Sequence, residues 1–216
     1  MSLLPCPSRI VFDCDGVLLD TVDAKLRAFV DWVPVRHAHL KRDFADYNRA
    51  AFGKSRMVQI RHFYQELAKE PLSPAQLEEE IHRFGGIVEE YTRSAGWLPG
   101  SREFLDACRT RHIELHVLSG TPQEILGQEL RRRGAESYFA SILGAPTTKV
   151  DGLRHILGSH ARPPGHTWMI GDGRVDREAA EACGVLFVYK PSALGSIGGV
   201  PARTVEKLTE LEDCFP

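Results

Sequence analysis

The sequence predicts an α/β protein in which a parallel sheet carries helices on both faces and a small all-helical segment is inserted after the first strand. Three observations predict this fold class. Short apolar runs alternate with helical patterns, acidic or glycine-containing turns follow several of these runs, and residues 21–96 have helical spacing without a convincing strand. A chain of 216 residues is long enough for one core and a smaller accessory domain.

Five short apolar runs are predicted to be strands, namely Arg9 to Phe12, Ile113 to Leu118, Phe139 to Leu143, Thr167 to Ile170 and Val185 to Tyr189. Right-handed crossovers between parallel strands bring the C-terminal ends of all strands to one edge of the sheet, where ligands bind. After the second strand, Thr121 and Pro122 have the residue types of an N-cap and a first helical position. A helix is therefore predicted to start there.

The inserted segment contains a second predicted helix start, at Ser73-Pro74-Ala75-Gln76. The helix that follows carries an apolar stripe, which we expect to be core rather than a cofactor contact: Leu77, Ile81, Phe84, Ile87, Val88 and Tyr91. The segment leaves after the first strand and returns near Leu98-Pro99-Gly100. Two linkers placed close together would let it move over the sheet edge as a lid.

The composition argues against several classes of protein. Lysine and arginine number 27 against 29 acids, which gives no electrostatic footprint for nucleic acid or for an anionic membrane. No stretch approaches the roughly 18 apolar residues of a membrane span, so we expect no membrane partner and a cytoplasmic location. The five cysteines lack a C-x-x-C pair and are predicted to be reduced, buried thiols. Monomer and homodimer both stay open.

Two acids follow the first strand, in Asp13-Cys14-Asp15-Gly16. Once the chain turns out of the strand, both carboxylates can face one site, where one can attack a substrate while the other moves protons. A solvated turn is the alternative for such a run taken alone. A calcium loop fits less well, because the glycine stands three residues after the first acid instead of five.

The other candidate residues stand at the same predicted edge. Asp172 and Asp176 follow the fourth strand, and with Asp13 they form an all-oxygen set that suits Mg²⁺. Clustered acids repel one another, so a cation and a lysine are needed, and Lys149 after the third strand is the candidate for the lysine, with an exposed surface charge as the alternative. Ser119 ends the second strand and places a hydroxyl and backbone amides at a predicted helix start, where the dipole favours a phosphate. A purely structural cap is the alternative for this feature taken alone.

These elements, each at the C-terminal end of a strand, resemble in their order the motifs of the haloacid dehalogenase-like superfamily over nearly the whole chain. The resemblance implies a Rossmann-like core in which Asp13 attacks phosphorus. It implies that Asp15 protonates the leaving oxygen and then deprotonates the water that hydrolyses the aspartyl phosphate. The side chains of Asp13 and Asp172 and the backbone carbonyl of Asp15 would hold Mg²⁺.

The same resemblance implies where the phosphate binds. Its oxygens would contact Ser119, Gly120 and Lys149, while Asp176 would support the metal or the lysine without touching the substrate. The chain departs from the pattern at Gly173, where many relatives carry a small hydroxyl residue. This departure puts one hydrogen bond near the metal in doubt, but not the metal.

The inserted segment resembles the helical cap of the phosphoglycolate phosphatase and beta-phosphoglucomutase branch, in which the cap contacts the leaving group of the substrate. The resemblance implies two domains, a catalytic core of 1–20 and 97–216 and a cap of 21–96. Lys54 and Arg56 match the substrate loop of the cap in position, and they would suit a second anion such as a carboxylate. A solvated turn is the alternative.

The motifs together predict a magnesium-dependent phosphatase that hydrolyses a small phosphorylated metabolite through a phospho-aspartate intermediate. Asp15 favours phosphoryl chemistry, because the dehalogenases of the superfamily lack an acid at this position. Its acidic neighbours are expected to raise its pKa, so that it can donate a proton. A sugar phosphomutase would use the same residues, and a non-catalytic phosphometabolite-binding protein of the same fold is the third possibility.

Overall fold

The computed structural model describes residues 4–158, 166–195 and 197–215. Within them, six parallel strands form one sheet in the order β3-β2-β1-β4-β5-β6. The strands are β1 (Arg9–Phe12), β2 (Glu114–Pro122), β3 (Ser141–Ala145), β4 (Thr167–Gly171), β5 (Leu186–Tyr189) and β6 (Arg203–Thr204). The first five confirm the predicted strands. The sequence does not predict β6, because two residues are too few to form a periodic pattern.

Eight α-helices are present in the described ranges: α1 (Val22–Trp32), α2 (Lys41–Ala50), α3 (Arg56–His62), α4 (Pro74–Thr92), α5 (Ser101–Thr110), α6 (Gln123–Arg132), α7 (Lys149–Gly158) and α8 (Arg174–Cys183). Shorter helical turns are the 3₁₀ segments Val35–Leu40, Glu136–Tyr138 and Leu208–Cys214 and the π segment Phe63–Leu67.

The first strand lies at the centre of the core. β1 pairs with β2 on one side and with β4 on the other, and all of its residues are buried. Because side chains alternate along a strand, Ile10 and Phe12 pack in the cluster that contains residues of α5 and α6, whereas Val11 packs with α7 and α8. Helices thus cover both faces of a parallel sheet, which confirms the predicted fold class.

The segment between β1 and α5 is helical, as predicted. Residues 21–96 contain α1 to α4 and no strand. Their apolar faces form a cluster of their own, in which Trp32, Phe44, Phe63 and Phe84 pack ring against ring. The stripe predicted on α4 lies in or against this cluster and is therefore core, as expected.

The two predicted helix starts have different outcomes. The amide of Ser73 donates to Gln76 Oε1 at 2.9 Å and the amide of Gln76 donates to Ser73 Oγ at 3.4 Å, which confirms the capping box of α4. The prediction that Thr121 caps a helix is wrong. β2 continues through an irregularity to Pro122 and α6 begins at Gln123, so the Thr121 hydroxyl is free to bond elsewhere.

The two ends of the helical segment lie side by side. Leu19 pairs with Trp97 in an antiparallel bridge, and the amide of Leu98 donates to the carbonyl oxygen of Leu18 at 2.9 Å. Both linkers are therefore held at one point of the core. The division into domains of 1–20 with 97–216 and of 21–96 stays a prediction.

All five cysteines are free, as predicted, and Cys14, Cys108 and Cys214 are buried. The prediction of burial is wrong for Cys6, which is exposed in the segment that precedes β1. None of the helices in the described ranges is long and apolar enough to cross a lipid bilayer.

Candidate active site

Polar side chains converge at the C-terminal edge of the sheet, beyond the ends of β1 and β4 and beside the irregular last part of β2. Although they are polar or charged, none is more than 7% exposed: Asp13, Asp15, Ser119, Lys149, Asp172 and Asp176. Buried charges are costly unless they are paired or bind a cation. A cluster of this kind is typical of a functional site rather than of a device for stability.

Lys149 is the first residue of α7 and is surrounded by oxygen atoms. Its Nζ lies 2.7 Å from Asp13 Oδ1 and 2.8 Å from Asp176 Oδ1, and it donates to the carbonyl oxygen of Leu118 at 2.6 Å. Burial acts to lower the pKa of Lys149, but the two carboxylates outweigh it and raise the pKa above its ordinary value. A charged ammonium therefore lies between these two acids.

Asp13 follows directly after β1, and the amide of Cys14 donates to its Oδ1 at 2.7 Å. Burial raises the pKa of Asp13 to about 7 against the opposing charge of Lys149, and Asp176 and Asp15 add to the rise. One lysine is thus too little positive charge for this group of acids. A bound cation would favour the ionised carboxylate that a nucleophile requires.

Asp172 provides the observation by which a metal can be tested. One oxygen from each of Asp13, Asp172 and Asp176 lies within 4.8 Å of the others. Burial raises the pKa of Asp172 well above its ordinary range, and the two neighbouring acids add to the rise. Neither of its oxygens has a hydrogen bond of normal geometry in the described ranges, although Ser192 opposes the pKa rise. Buried carboxylates without enough donors fit Mg²⁺.

Asp15 has different surroundings. Its carboxylate accepts hydrogen bonds from Thr21 Oγ1 at 2.5 Å and from Lys25 Nζ at 2.6 Å, and Thr121 Oγ1 lies 3.3 Å away. Burial acts to raise the pKa of Asp15, but the charge and hydrogen bond of Lys25, together with Thr21, outweigh it and lower the pKa. The prediction that acidic neighbours raise the pKa of Asp15 is therefore wrong.

The three partners of Asp15 are residues that the sequence pattern does not identify. Lys25 also donates to Thr121 Oγ1 at 2.8 Å, so α1 is connected to the ends of both β1 and β2. One signal is present in the sequence. Thr21 and Lys25 stand four residues apart in a segment with helical spacing, which favours the same face for both, but the pattern does not say what this face contacts.

The inserted helices cover the cluster from above. Their contribution to the lining of the cavity over Asp13 and Asp15 is Lys25, Phe29, Phe52, Gly53, Lys54, Arg56, Gln59, Phe84 and Val88. Arg56 is buried, its guanidinium lies 5.5 Å above the ring of Phe84, and burial lowers its pKa. Lys54 is exposed but lines the same cavity. The structure thus brings both predicted cap residues to the site.

The loop that carries these two residues touches the core. A Cβ atom on Gly120 would lie only 2.4 Å from the carbonyl oxygen of Gly53, so the absence of a side chain permits this contact. The cavity below the loop has a volume of about 40 Å³. This is room for a few water molecules, and a larger cleft that also contains Asp15, Lys25 and Arg56 adjoins the cavity.

The comparisons with known sequences agree with this geometry. A family model described as haloacid dehalogenase-like hydrolase matches residues 8–184. A phosphoglycolate phosphatase from Pseudomonas syringae pv. syringae is 27% identical over 190 residues, which are 84% of this chain and 68% of that protein. A phosphorylated carbohydrates phosphatase from Thermotoga maritima is 25% identical over 191 residues and covers 83% of both chains.

Solved structures agree in fold. A predicted phosphoglycolate phosphatase from Haemophilus somnus superposes with a TM-score of 0.73 at 16% identity, over 99% of this chain and 98% of its own. A variant of CbbY from Rhodobacter sphaeroides in complex with xylulose-(1,5)bisphosphate has a TM-score of 0.74 at 18% identity, over 94% and 96%. At these identities the structures support the fold alone.

Proposed function

The chain belongs to the haloacid dehalogenase-like hydrolases and is a phosphatase, and on that premise we propose that it hydrolyses a small phosphorylated metabolite with Mg²⁺ through a phospho-aspartate intermediate. One observation carries this proposal. Asp13 lies buried beside Lys149, Asp172 and Asp176 at the edge where the sheet binds ligands. A buried carboxylate needs such partners to act as a nucleophile for phosphorus.

Three oxygens are proposed to hold the metal, from the side chains of Asp13 and Asp172 and from the backbone carbonyl of Asp15. When bound there, Mg²⁺ would neutralise charge on the phosphate and orient it toward the nucleophile. Asp176 shares Lys149 with Asp13, and its Oδ2 accepts from the amide of Gly173 at 3.1 Å. Asp176 is therefore proposed to hold the lysine in place.

The first half of the reaction transfers the phosphoryl group. A carboxylate oxygen of Asp13 bonds to phosphorus, the bond from phosphorus to the leaving oxygen breaks, and its electron pair stays on that oxygen. The leaving oxygen takes the proton of Asp15. Asp15 is a carboxylate before the substrate binds because Lys25 lowers its pKa, and it takes up a proton from solvent water when the negative phosphate ester binds beside it.

The second half regenerates the enzyme. Asp15, now a carboxylate, takes a proton from water while the water oxygen bonds to phosphorus, and the bond between phosphorus and Asp13 breaks. Ser119, Gly120 and Lys149 are proposed to contact the phosphate oxygens in both halves. The lysine ammonium and the backbone amides offset the charge on these oxygens.

The cap residues support a substrate that carries a second anionic group. Arg56 presents a guanidinium to a cavity whose other walls include the apolar side chains of Phe29, Phe84 and Val88, and Lys54 lies at the same cavity. A guanidinium binds a carboxylate or a phosphate through two hydrogen bonds. A small phosphorylated acid or a bisphosphate therefore offers the second anion that these cations can bind, and a cytoplasmic location is consistent with such a metabolite.

The test is release of inorganic phosphate from a panel of phosphorylated metabolites that includes 2-phosphoglycolate and sugar phosphates, with Mg²⁺ or with EDTA. We expect Mg²⁺-dependent release, and Asp13→Asn should lower it by at least about 10³-fold. Asp43→Asn, an exposed acid on α2, is the matched control and should behave like wild type. Rapid acid quench with radiolabelled substrate should trap a phosphoenzyme that hydroxylamine cleaves.

A sugar phosphomutase is the second candidate, because the same residues would serve it. Conversion of one sugar phosphate isomer to another without release of phosphate would replace the hydrolase by this enzyme. Failure of every substrate to release phosphate or to isomerise would favour a binding protein of the same fold.

A further inference from the structure

The reaction described so far uses Lys25 only through its effect on the pKa of Asp15, although the lysine lies at the centre of the site. Its side chain is 15% exposed, and its Nζ lies 2.6 Å from the Asp15 carboxylate and 2.8 Å from Thr121 Oγ1. It lines both the cavity over Asp13 and the larger cleft between α4 and α6. This cation therefore lies beside the carboxylate that is proposed to protonate the leaving oxygen.

The position of the leaving oxygen follows from the chemistry. Attack in line places this oxygen on the side of phosphorus opposite to Asp13. Because Asp15 protonates the oxygen, the two groups lie within hydrogen-bond distance. Lys25 contacts the same carboxylate, so its Nζ and the leaving oxygen are both neighbours of Asp15, within about 6 Å of each other, and the flexible lysine side chain can reach the oxygen. An ammonium has three donors, and it can keep its bond to Thr121 while it donates to this oxygen.

We propose that Lys25 is a further catalytic residue, whose ammonium donates a hydrogen bond to the leaving oxygen and stabilises the negative charge that grows there. The inference rests on the proposed function and adds a role on the leaving-group side of the same site. The bond from phosphorus to the leaving oxygen breaks, the electron pair stays on that oxygen, and its proton comes from Asp15. Lys25 keeps its protons throughout.

The role has a consequence for substrate class. An aliphatic alcohol is a poor leaving group, and its oxygen carries more negative charge in the transition state than the oxygen of an acidic phenol. A hydrogen bond from a cation is worth most where this charge is largest. Lys25 should therefore matter for alkyl phosphates, the class to which small phosphorylated metabolites belong, and little for activated aryl phosphates.

The experiment compares kcat/KM of wild type, Lys25→Met and Lys25→Arg on the best alkyl phosphate of the panel and on p-nitrophenyl phosphate. This ratio covers the steps up to departure of the leaving group. We expect Lys25→Met to lose about 10²–10³-fold on the alkyl phosphate and less than about 10-fold on the aryl phosphate. Lys25→Arg, which keeps the charge, should recover most of the difference.

Arg27→Met is the matched control, because it removes an exposed cation from the same helix, outside the cavity. Equal losses on both substrates would show that Lys25 only maintains the structure, and losses below about 3-fold on the alkyl phosphate would show that it does not act; either result overturns the role. If Lys25→Met fails to fold, Lys25→Gln replaces it. A wild type that hydrolyses neither substrate would instead refute the proposed function.

Discussion

Replacement of Gly120 by alanine adds one methyl group at the point where the cap loop meets the core. The new Cβ would lie 2.4 Å from the carbonyl oxygen of Gly53 and 2.9 Å from the carbonyl oxygen of Lys54. Both obstacles are backbone atoms, which cannot turn away as a flexible side chain does. Gly53 O has to retreat by about 1 Å to reach the 3.4 Å at which ordinary contact begins.

The expected loss follows from that displacement. The loop carries Arg56 toward the cavity, and a misplacement of about 1 Å can cost on the order of 10²-fold in rate. We therefore expect Gly120→Ala to lower kcat/KM by about 10²-fold on the best substrate. The melting temperature should hardly change, because an open cap relieves the clash and alanine restricts the unfolded chain by about 0.4–1 kcal/mol.

Steady-state kinetics and a thermal melt of the same preparation measure both expected results, the loss in kcat/KM and the unchanged melting temperature. Gly127→Ala is the matched control, since a Cβ at this position of α6 meets nothing within 4 Å, and its kinetics should equal those of wild type. Gly120→Ala with wild-type kcat/KM would refute the reasoning. It would mean that the cap does not need this contact during turnover.

Two further changes test the metal site and the cap. Saturation of the wild type with Mg²⁺ at about 100 times its Kd should stabilise the fold by about 2.7 kcal/mol and raise Tm by about 5–10 °C. Asp172→Asn should abolish this rise, and an undiminished rise in calorimetry would place the ion elsewhere. Trp32→Ala should lower the free energy of unfolding of the cap by about 3–5 kcal/mol, because this buried side chain packs against several rings. Urea unfolding should then separate into two transitions if 21–96 is a domain, and a single transition at the wild-type midpoint would contradict both expectations.

The site residues that can be predicted from the sequence are those whose positions follow from the direction of the strand or helix to which they are attached. Asp13, Asp172 and Lys149 stand directly after strands or at the start of a helix, so parallel topology alone brings them to one edge. The stripe on α4 follows from helical periodicity in the same way. To predict such features it is enough to know the type and the direction of the secondary-structure element, and both can be inferred from the sequence.

What the pattern could not identify depends on contacts between elements. Lys25 reaches Asp15 only because α1 packs beside the ends of β1 and β2, and its charge reverses the direction of the Asp15 pKa that the acids alone suggest. Thr121 has the composition of a cap, but β2 continues past it, so its hydroxyl bonds to groups of the site. Both outcomes follow from tertiary packing, which overrides local propensity.

The bridge between Leu19 and Trp97 brings together the two points at which the inserted helices could be cut from the core. Because the amide of Leu98 and the carbonyl of Leu18 are already bonded at 2.9 Å, a tight turn can join the two ends of the core without moving either. We therefore expect the sheet to tolerate such an excision. Catalysis would be affected more than folding, since Thr21 and Lys25 are removed with the inserted helices and Asp15 is left without two of its partners. We therefore expect that removal of 21–96 would impair turnover more than folding, and that any segment put in its place has to bring its own partners for Asp15.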